Sequence, residues 1–316
     1  MIELQKRHKS KKVMVRDVAI GGNSPIVVQS MTNTKTYDVN STVGQILQLE
    51  EVGCEIIRVA VPDFESAKAL TEIKARINIP IIADVHFDYR LAIESIKSGA
   101  DKLRINPGNI GDEDRVKKVV ETAKEYNVPI RIGVNSGSVE KDLLEIHGGP
   151  TPRAMVESAV RHIEILEKMN FNDIIISIKS SDVLSSIEAY KLMAKTADYP
   201  LHLGITEAGT KTIGTIKTSV GLGVLLYSGI GDTIRVSLTG DPLDEVKVGY
   251  EILKSLGLRT RGINFISCPT CGRTEINLIN IAKEVEQKLQ HIDKPISVAI
   301  MGCVVNGPGE AKEADI

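Results

Sequence analysis

The sequence predicts an α/β fold in which a closed (β/α)8 TIM barrel is followed by a small α/β domain. From residue 26 to about 257, short β-branched runs alternate eight times with helical patterns. This alternation predicts a parallel sheet with right-handed crossovers, and eight such units in about 250 residues are typical of a barrel. An open doubly wound sheet is the alternative, but the glycine fingerprint usual for that fold is absent.

The elements follow in order along the chain. A hairpin is predicted at 13–24, turning at two glycines, and it could close the bottom of the barrel. Strands are predicted at 26–30, 55–60, 80–85, 102–106, 129–135, 173–179, 201–206 and 232–238. Helices are predicted between and after them, at 40–52, 65–77, 89–98, 113–126, 152–169, 182–197, 210–229 and 242–257. In the fifth helix, Thr151 is a suitable cap and Pro152 suits the first turn.

The pattern changes after Gly257, which predicts a barrel domain at 1–258 and a second domain at 259–316. The second domain is predicted to contain a strand within 259–268, a helix at 274–290 and a strand at 295–301. These elements make a thin core, so we expect part of this domain to be missing from the sequence, which ends at Ile316.

Composition excludes several classes of function. The 39 basic and 41 acidic side chains nearly cancel and aromatic residues are only 3%, which disfavours a nucleic-acid-binding protein. No apolar run is long enough for a membrane span, and the N-terminus lacks the apolar core of a signal peptide. The basic run at 6–12 is interpreted as a solvated leader. Four irregularly spaced cysteines argue against a disulfide framework, so a cytoplasmic location is expected.

Polar side chains collect at the C-terminal ends of the predicted strands, where barrels of this class carry their chemistry. Because side chains alternate along a strand, we expect these residues to face the barrel mouth. Five strands would then direct a cation into one space, and Asp84 and Glu207 supply at most two carboxylates. The excess predicts a polyanionic ligand such as a diphosphate, with internal salt bridges as the alternative. The residues are Arg58, Asp84, His86, Arg104, Asn106, Arg131, Asn135, Ser177, Lys179, Glu207, Arg235 and Ser237.

The pattern leaves alternative roles open for individual residues. His86 is either an acid–base group or a hydrogen-bonded structural residue, and Glu207 is the better candidate for a proton donor. His202 is interpreted as structural and Cys54 as a small buried apolar residue. The glycine-containing loops NPGNIG and NSGS offer backbone N–H groups to an anion.

The second domain carries a metal-site pattern. Cys268 and Cys271 lie in CPTCG, and Cys303 follows the last predicted strand. With His291 as the fourth ligand the site would suit zinc, whereas an oxygen donor such as Glu310 would suit an iron–sulfur cluster with one replaceable ligand. Spacing alone leaves both alternatives open.

The combined motifs resemble the 4-hydroxy-3-methylbut-2-enyl diphosphate synthase family over essentially the whole chain. The motifs are QSMTNT, ADVHFD, KLRINPGN, IRIGVNSGS, HLGITEAG, IRVSLTGDP, SCPTCGR and MGCVVNGPGE. The resemblance implies a barrel that binds 2-C-methyl-D-erythritol 2,4-cyclodiphosphate and a second domain that holds a 4Fe–4S cluster. Members of the family continue beyond the EADI segment, which reinforces the expectation of a missing end.

The resemblance also implies roles for particular residues. Cys268, Cys271, Cys303 and Glu310 would bind the cluster, Glu207 and Glu310 would be catalytic, and Asn306 would approach the substrate from the cluster loop. It further implies reduced flavodoxin or ferredoxin as electron donor. The family works as a homodimer in which one subunit's cluster domain covers the other's barrel. Two other functions stay open: a pterin- or sugar-phosphate-binding barrel with structural zinc, and an iron–sulfur sensor without enzymatic activity.

Overall fold

The computed structural model describes residues 5–289, 291–305 and 307–316, without the side chains of Pro107, Pro308, Glu310 and Glu313. The strands are β1 (Val13–Val15), β2 (Val18–Ile20), β3 (Val27–Met31), β4 (Ile56–Ala60), β5 (Ile81–Asp84), β6 (Lys102–Ile105), β7 (Ile130–Asn135), β8 (Ile174–Lys179), β9 (His202–Leu203), β10 (Thr233–Ile234), β11 (Asn264–Ser267) and β12 (Ser297–Ile300). The helices are α1 (Val39–Glu51), α2 (Phe64–Lys74), α3 (Tyr89–Lys97), α4 (Pro107–Ile110), α5 (Glu113–Glu125), α6 (Lys141–His147), α7 (Pro152–Lys168), α8 (Val183–Thr196), α9 (Lys211–Tyr227), α10 (Pro242–Ser255), α11 (Leu278–Leu289) and α12 (Gly307–Glu310). Single 3₁₀ turns lie at Ser136–Ser138 and Ala311–Glu313.

Strands β3 to β10 form one parallel sheet that closes on itself. Each strand from β3 to β7 pairs with the next, and β10 pairs with both β9 and β3. A parallel bridge between Ile176 and Leu201 joins β8 to the segment before β9 and completes the ring. The predicted (β/α)8 barrel is therefore confirmed, and the open-sheet alternative is wrong.

The barrel helices begin where side-chain caps satisfy their first N–H groups. Asp63, for example, accepts a hydrogen bond from the N–H of Ser66, and Thr151 accepts one from Ala154 at 3.2 Å. Each such cap stabilises its helix by about 1 kcal/mol. Among the described residues, seven helices start in this way, capped by Asp38, Asp63, Asp88, Asn106, Asp112, Thr151 and Asp182.

The predicted strands at 201–206 and 232–238 are much shorter in the structure, where only β9 and β10 remain. The chain leaves the regular ladder at Gly204, against which the Lys179 ammonium packs. Three residues later Glu207 has a φ of 52°, which no strand accommodates. Two short helices, α4 and α6, occupy the loops after β6 and β7 and were not predicted.

The β1–β2 hairpin closes the N-terminal end of the barrel, as predicted. Val13, Val15 and Ile20 form one buried cluster with apolar residues of β3, β4, β5 and β8. The predicted Gly-Gly turn is wrong, because Val15 pairs with Val18 and the turn is formed by the two residues between them. Gly21 lies after β2, where a side chain would collide with the carbonyl oxygen of Lys11.

The N-terminal basic run is not the solvated leader that the sequence suggested. Arg7 forms an ion pair with Asp232 at 3.0 Å, and Ser10 donates to the same carboxylate at 3.0 Å. The His8 N–H donates to the carbonyl of Gly229. The buried carboxylate of Asp232, which precedes β10, therefore fixes this segment against the barrel.

The chain divides into two compact units, Met1–Ile252 and Leu253–Ile316. In the second unit, β11 and β12 pair in parallel and α11 connects them, which confirms the predicted small α/β domain. Leu278, Val298 and Ile300 form its buried core with Ile263. The predicted boundary after residue 258 stays a prediction. Among the residues described, none of the helices combines the length and apolar character needed to cross a membrane.

Candidate active site

The register of the barrel strands places the predicted cations side by side. Arg104 lies opposite Arg131 on the neighbouring strand and opposite Asp84 on the other side. Lys179 lies opposite Asn135. Because residues opposite each other in a sheet point to the same face, these side chains share the interior face of the barrel. The hairpin closes the other end, so the polar groups at the strands' C-terminal ends line the open end of the barrel.

Asp84 is the anionic centre of this group. Its carboxylate accepts hydrogen bonds from Arg58 at 3.0 Å and from Arg104 at 3.2 Å, and its Oδ2 lies 3.3 Å from His86 Nε2. Burial raises the pKa of Asp84, but the Arg58 charge, the His86 contact and the Arg104 charge outweigh burial and hold that pKa well below its usual range. Asp84 is therefore ionised and satisfied by the protein itself.

Arg131 and Lys179 have no such carboxylate among the contacts described. Arg131 is 1% exposed, and its Nε and Nη1 atoms have no hydrogen-bond partner among the described residues. Burial lowers the pKa of Lys179, and the charges of Arg235, Arg131, Arg58 and Arg104 lower it further. An arrangement in which the cations destabilise one another has a strong electrostatic preference for an added anion.

The second carboxylate beside the cations is Glu245 of α10. Its Oε2 lies 3.6 Å from Arg235 Nε and accepts from the Ser30 hydroxyl at 3.2 Å, while its Oε1 accepts from the Leu238 N–H at 3.0 Å. Burial lowers the pKa of Arg235 to about 10, and burial raises the pKa of Glu245. Glu207, which the sequence suggested as a counter-charge, is instead exposed.

Glu207 nevertheless occupies an unusual backbone conformation. Its φ of 52° is left-handed, a region that costs a residue with a side chain on the order of 1 kcal/mol. It lies in the loop that follows β9, at the open end of the barrel. The conformation holds an exposed carboxylate in this loop.

Asn106 and Asn135 are joined by a serine that the sequence did not single out. The Asn106 amide donates to the Ser138 hydroxyl at 3.4 Å, and that hydroxyl in turn donates to the Asn135 carbonyl at 3.0 Å. The Asn106 side-chain oxygen caps α4 by accepting from the Gly108 N–H. Ser177 is buried and Ser237 is half-buried at the ends of their strands.

Two more basic residues lie among the cations and were missed or interpreted as structural. Lys102 is fully buried, and in the part of the chain that the structure describes its Nζ has no hydrogen-bond partner. Burial, together with the charges of Arg131 and Arg58, lowers its pKa. It shares strand parity with Arg104, so the alternation was sufficient to identify it. His202 is also fully buried, with Thr233 Oγ1 3.5 Å from its Nδ1, and burial lowers its pKa. Cys54 is buried as expected, and burial raises its pKa to about 12.

The three remaining cysteines lie near one end of the β11–β12 pair. The Cys268 N–H donates to the Ile300 carbonyl, and the Glu275 N–H donates to the Gly302 carbonyl. These bonds fix the CPTCG loop beside the loop that carries Cys303. Cys268 is half-buried, Cys271 is exposed and Cys303 is half-buried.

This donor set fits an iron–sulfur centre in its chemistry, because three thiols come from two adjacent loops at one end of a sheet. Among the described side chains, no group of three His, Cys, Asp or Glu is close enough to hold a metal ion. The Glu310 side chain and the whole of Asn306 lie outside the described residues, so the predictions for them stay predictions. His291, the ligand of the zinc alternative, is exposed.

Comparison with known proteins agrees with this architecture. The GcpE TIM-barrel domain matches residues 10–250, and the GcpE protein C-terminal domain matches residues 264–316. Among solved structures, a dihydropteroate synthase from Stenotrophomonas maltophilia has a TM-score of 0.58 at 13% identity, covering 78% of this chain and 97% of its own. A type I 3-dehydroquinate dehydratase from Clostridium difficile has a TM-score of 0.57 at 16% identity, with coverages of 78% and 98%. These identities show a shared barrel fold only.

Curated relatives are far more similar. The 4-hydroxy-3-methylbut-2-en-1-yl diphosphate synthase (flavodoxin) of Caldanaerobacter subterraneus subsp. tengcongensis is 63% identical over 313 residues, which are 99% of this chain and 88% of the relative. The protein of the same name from Clostridium tetani is 63% identical over 310 residues, covering 98% and 89%. With both domain models and full-length relatives in agreement, the chain belongs to the GcpE family of 4-hydroxy-3-methylbut-2-en-1-yl diphosphate synthases, which are oxidoreductases.

Proposed function

We propose that this protein reductively opens and dehydroxylates 2-C-methyl-D-erythritol 2,4-cyclodiphosphate, giving 4-hydroxy-3-methylbut-2-enyl diphosphate for isoprenoid biosynthesis. The reaction consumes two electrons and a proton and releases water. The observation that carries the proposal is the cationic interior of the barrel, where two nitrogens of the buried Arg131 guanidinium lack a hydrogen-bond partner among the side chains and backbone described. A diphosphate supplies the charge and the acceptor oxygens that this interior lacks.

The barrel residues have distinct roles in this proposal. Arg58, Arg104, Arg131, Lys179 and Arg235 bind the two phosphates, with Asn106, Asn135 and Ser237 as neutral donors, and Asp84 and His86 hold the arginines in position. When the ring opens, a phosphate oxygen leaves carbon and gains negative charge, and the preorganised cations stabilise that charge. Glu207 delivers a proton to the hydroxyl group that departs as water. Asn306 would contact the substrate from the second domain.

The second domain, taken as residues 259–316, would hold a 4Fe–4S cluster through Cys268, Cys271, Cys303 and Glu310. Such a cluster supplies electrons one at a time. Support for this assignment comes from the two adjacent loops that carry the cysteines. It also comes from Glu310, which follows Cys303 closely in the sequence. The (flavodoxin) in the relatives' names supports reduced flavodoxin as the electron donor, with ferredoxin as an alternative. A cytoplasmic enzyme is consistent with reduced thiols.

A homodimer is part of the proposal, and α9 offers a surface for it. Ile213, Ile216, Val220, Val224 and Tyr227 are spaced three or four residues apart and are all 39–60% exposed. Lys211 and Lys217 are the only charged residues of this helix. The stripe exposes on the order of 500 Å², which is large for a monomer, and twofold pairing would bury on the order of 1,000 Å², the lower end of stable interfaces.

Anaerobic purification followed by iron, sulfide and zinc analysis and by turnover with reduced flavodoxin tests the enzyme assignment. We expect iron and sulfide in the wild type, their loss in Cys271→Ser, and their retention in the control Cys54→Ser, because that thiol is buried in the barrel. A zinc-loaded protein without iron, or an iron-loaded protein that does not convert the cyclic diphosphate, would be incompatible with the proposal.

Light scattering tests the dimer separately. The wild type should have twice the 34.4 kDa chain mass, whereas Ile216→Asp should be monomeric with an unchanged circular dichroism spectrum. A dimeric Ile216→Asp protein would exclude α9 as the interface.

A further inference from the structure

His162 lies on α7, outside the barrel interior, and is only 3% exposed. A buried histidine on the helix layer is usually held by one neighbouring group, but His162 touches two different loops at the open end of the barrel. These loops follow β6 and β7 and carry Asn106 and Asn135.

The first contact is with the segment that carries Asn106. The His162 ring packs against Gly108 in α4, so closely that a Cβ atom at position 108 would lie 2.9 Å from the ring's Cε1. The Gly108 N–H is the group that donates to the Asn106 side-chain oxygen at 3.1 Å. The histidine ring therefore supports the backbone that orients the Asn106 amide.

The second contact is with the segment that carries Asn135. His162 Nε2 lies 3.1 Å from the Oε1 of Glu140, which directly precedes α6. Burial raises the pKa of Glu140, but the neighbouring His162 and Ser158 side chains outweigh burial and lower that pKa to about 2. Glu140 is thus an ionised anchor two residues beyond Ser138, whose hydroxyl bonds to both asparagines.

We propose that His162 is a positioning residue that fixes the separation of Asn106 and Asn135 for substrate binding. It joins the loops after β6 and β7 from behind, while the Asn106–Ser138 hydrogen bond joins them at the mouth. This inference rests on the proposed function, since the asparagines are assigned there as substrate contacts. Losing the ring would leave the 3.4 Å Asn106–Ser138 hydrogen bond as the described side-chain link between the two loops.

Two substitutions separate positioning from simple packing. His162→Gln keeps an N–H donor at the place of Nε2, and His162→Leu removes it while filling similar space. In the iron-loaded enzyme we expect His162→Leu to raise KM for the cyclic diphosphate about tenfold with kcat within about threefold, and His162→Gln to restore KM to within about threefold of wild type. An unchanged KM in His162→Leu, or a His162→Gln variant as impaired as His162→Leu, would overturn the inference.

His147 provides the matched control. Its Nε2 lies 2.8 Å from Glu157, so it also pairs with a carboxylate, but it contacts neither asparagine segment through any bond described. His147→Leu should leave KM unchanged. If His162→Leu does not fold, Gly108→Ala displaces the same ring from the opposite side and should raise KM in the same way, and a Gly108→Ala enzyme with wild-type KM would contradict the inference.

A binding measurement distinguishes this inference from the proposed function. Inorganic pyrophosphate titrated into the protein by calorimetry reports the mouth without requiring turnover. A wild type that binds pyrophosphate but does not convert the cyclic diphosphate would contradict the proposed function alone. His162→Leu should then still bind pyrophosphate about tenfold more weakly than His162→Gln, and equal affinities would contradict the positioning role.

Discussion

Replacing Asp84 by asparagine should destabilise the barrel and make its stability depend on anions. The Asp84 carboxylate bonds to Arg58 and Arg104, whose side chains are 14% and 7% exposed. Asparagine keeps the shape and removes the charge, so two buried guanidinium groups lose their counter-ion. Removal of one partner from a buried ion pair costs about 3–5 kcal/mol, and partial exposure of Arg58 favours the lower end.

A loss of about 3 kcal/mol corresponds to a fall in Tm of roughly 6–12 °C for a domain of this size. Differential scanning calorimetry at pH 7 measures this fall. Asp142→Asn is the control, because that carboxylate pairs with Arg161 at the surface and should contribute less than about 1 kcal/mol. Pyrophosphate should raise the Tm of Asp84→Asn more than that of the wild type, because the bound anion supplies the negative charge that the substitution removes.

The pH dependence provides an independent check on the same carboxylate. Because the folded-state pKa of Asp84 is lowered, its contribution is fully present above the unfolded carboxyl pKa of about 3.9 and is lost as the pH falls below that value. The stability difference between wild type and Asp84→Asn should therefore be constant from pH 7 to 5 and shrink below about pH 4. If the Tm of Asp84→Asn at pH 7 lies within about 2 °C of the wild-type Tm, the expected destabilisation is absent and the reasoning is refuted.

Three further changes test the cationic interior. Lys102→Met removes a fully buried ammonium without a partner, so calorimetry should show a Tm higher by about 2–4 °C, while pyrophosphate affinity falls; a lower Tm would show that Lys102 is stabilising. Gly204→Ala places a Cβ atom 2.6 Å from Lys179 Nζ, so substrate affinity should fall at least about tenfold, and unchanged affinity would exclude a fixed Lys179. Tyr190→Phe removes the hydroxyl that donates to the His202 carbonyl at 2.6 Å, which should lower stability by about 1–2 kcal/mol in urea unfolding, whereas an equally stable variant would contradict it.

The barrel was predictable because its local signals agree with one another. The helix caps, the apolar stripes and the β-branched runs all indicate the same boundaries, and helix α7 begins at Pro152, as its cap predicted. The two weakest predictions were the strands after 201 and 232. Their sequences have strand propensity, but Gly204 and the left-handed Glu207 belong to a loop shaped by Lys179 and the site. Tertiary contacts decided those boundaries.

The site was predictable only where strand alternation was the governing rule. Alternation identified Arg104 and Asn106, and the same alternation places Lys102 on their face, although the pattern was not applied to that residue. Glu245 could not have been found in this way, because it comes from helix α10 and reaches Arg235 only in the folded barrel. The prediction of a Gly-Gly turn was wrong for a similar reason. Glycine is needed at position 21 because the Lys11 backbone approaches it closely, which is a tertiary contact and not part of the hairpin turn.

Two glycines in the barrel interior make room for the long basic side chains of Arg104 and Lys179. A Cβ atom at Gly133 would lie 2.6 Å from Arg104 Nε, and one at Gly204 would lie 2.6 Å from Lys179 Nζ. Each glycine lies beside a long basic side chain that comes from a neighbouring strand. The basic side chain occupies the space that a side chain at the glycine position would fill. The positive charges are therefore held by the backbone of adjacent strands as well as by carboxylates. We therefore expect an anion that enters the proposed site to meet donors whose positions packing already restricts, so that binding needs little rearrangement.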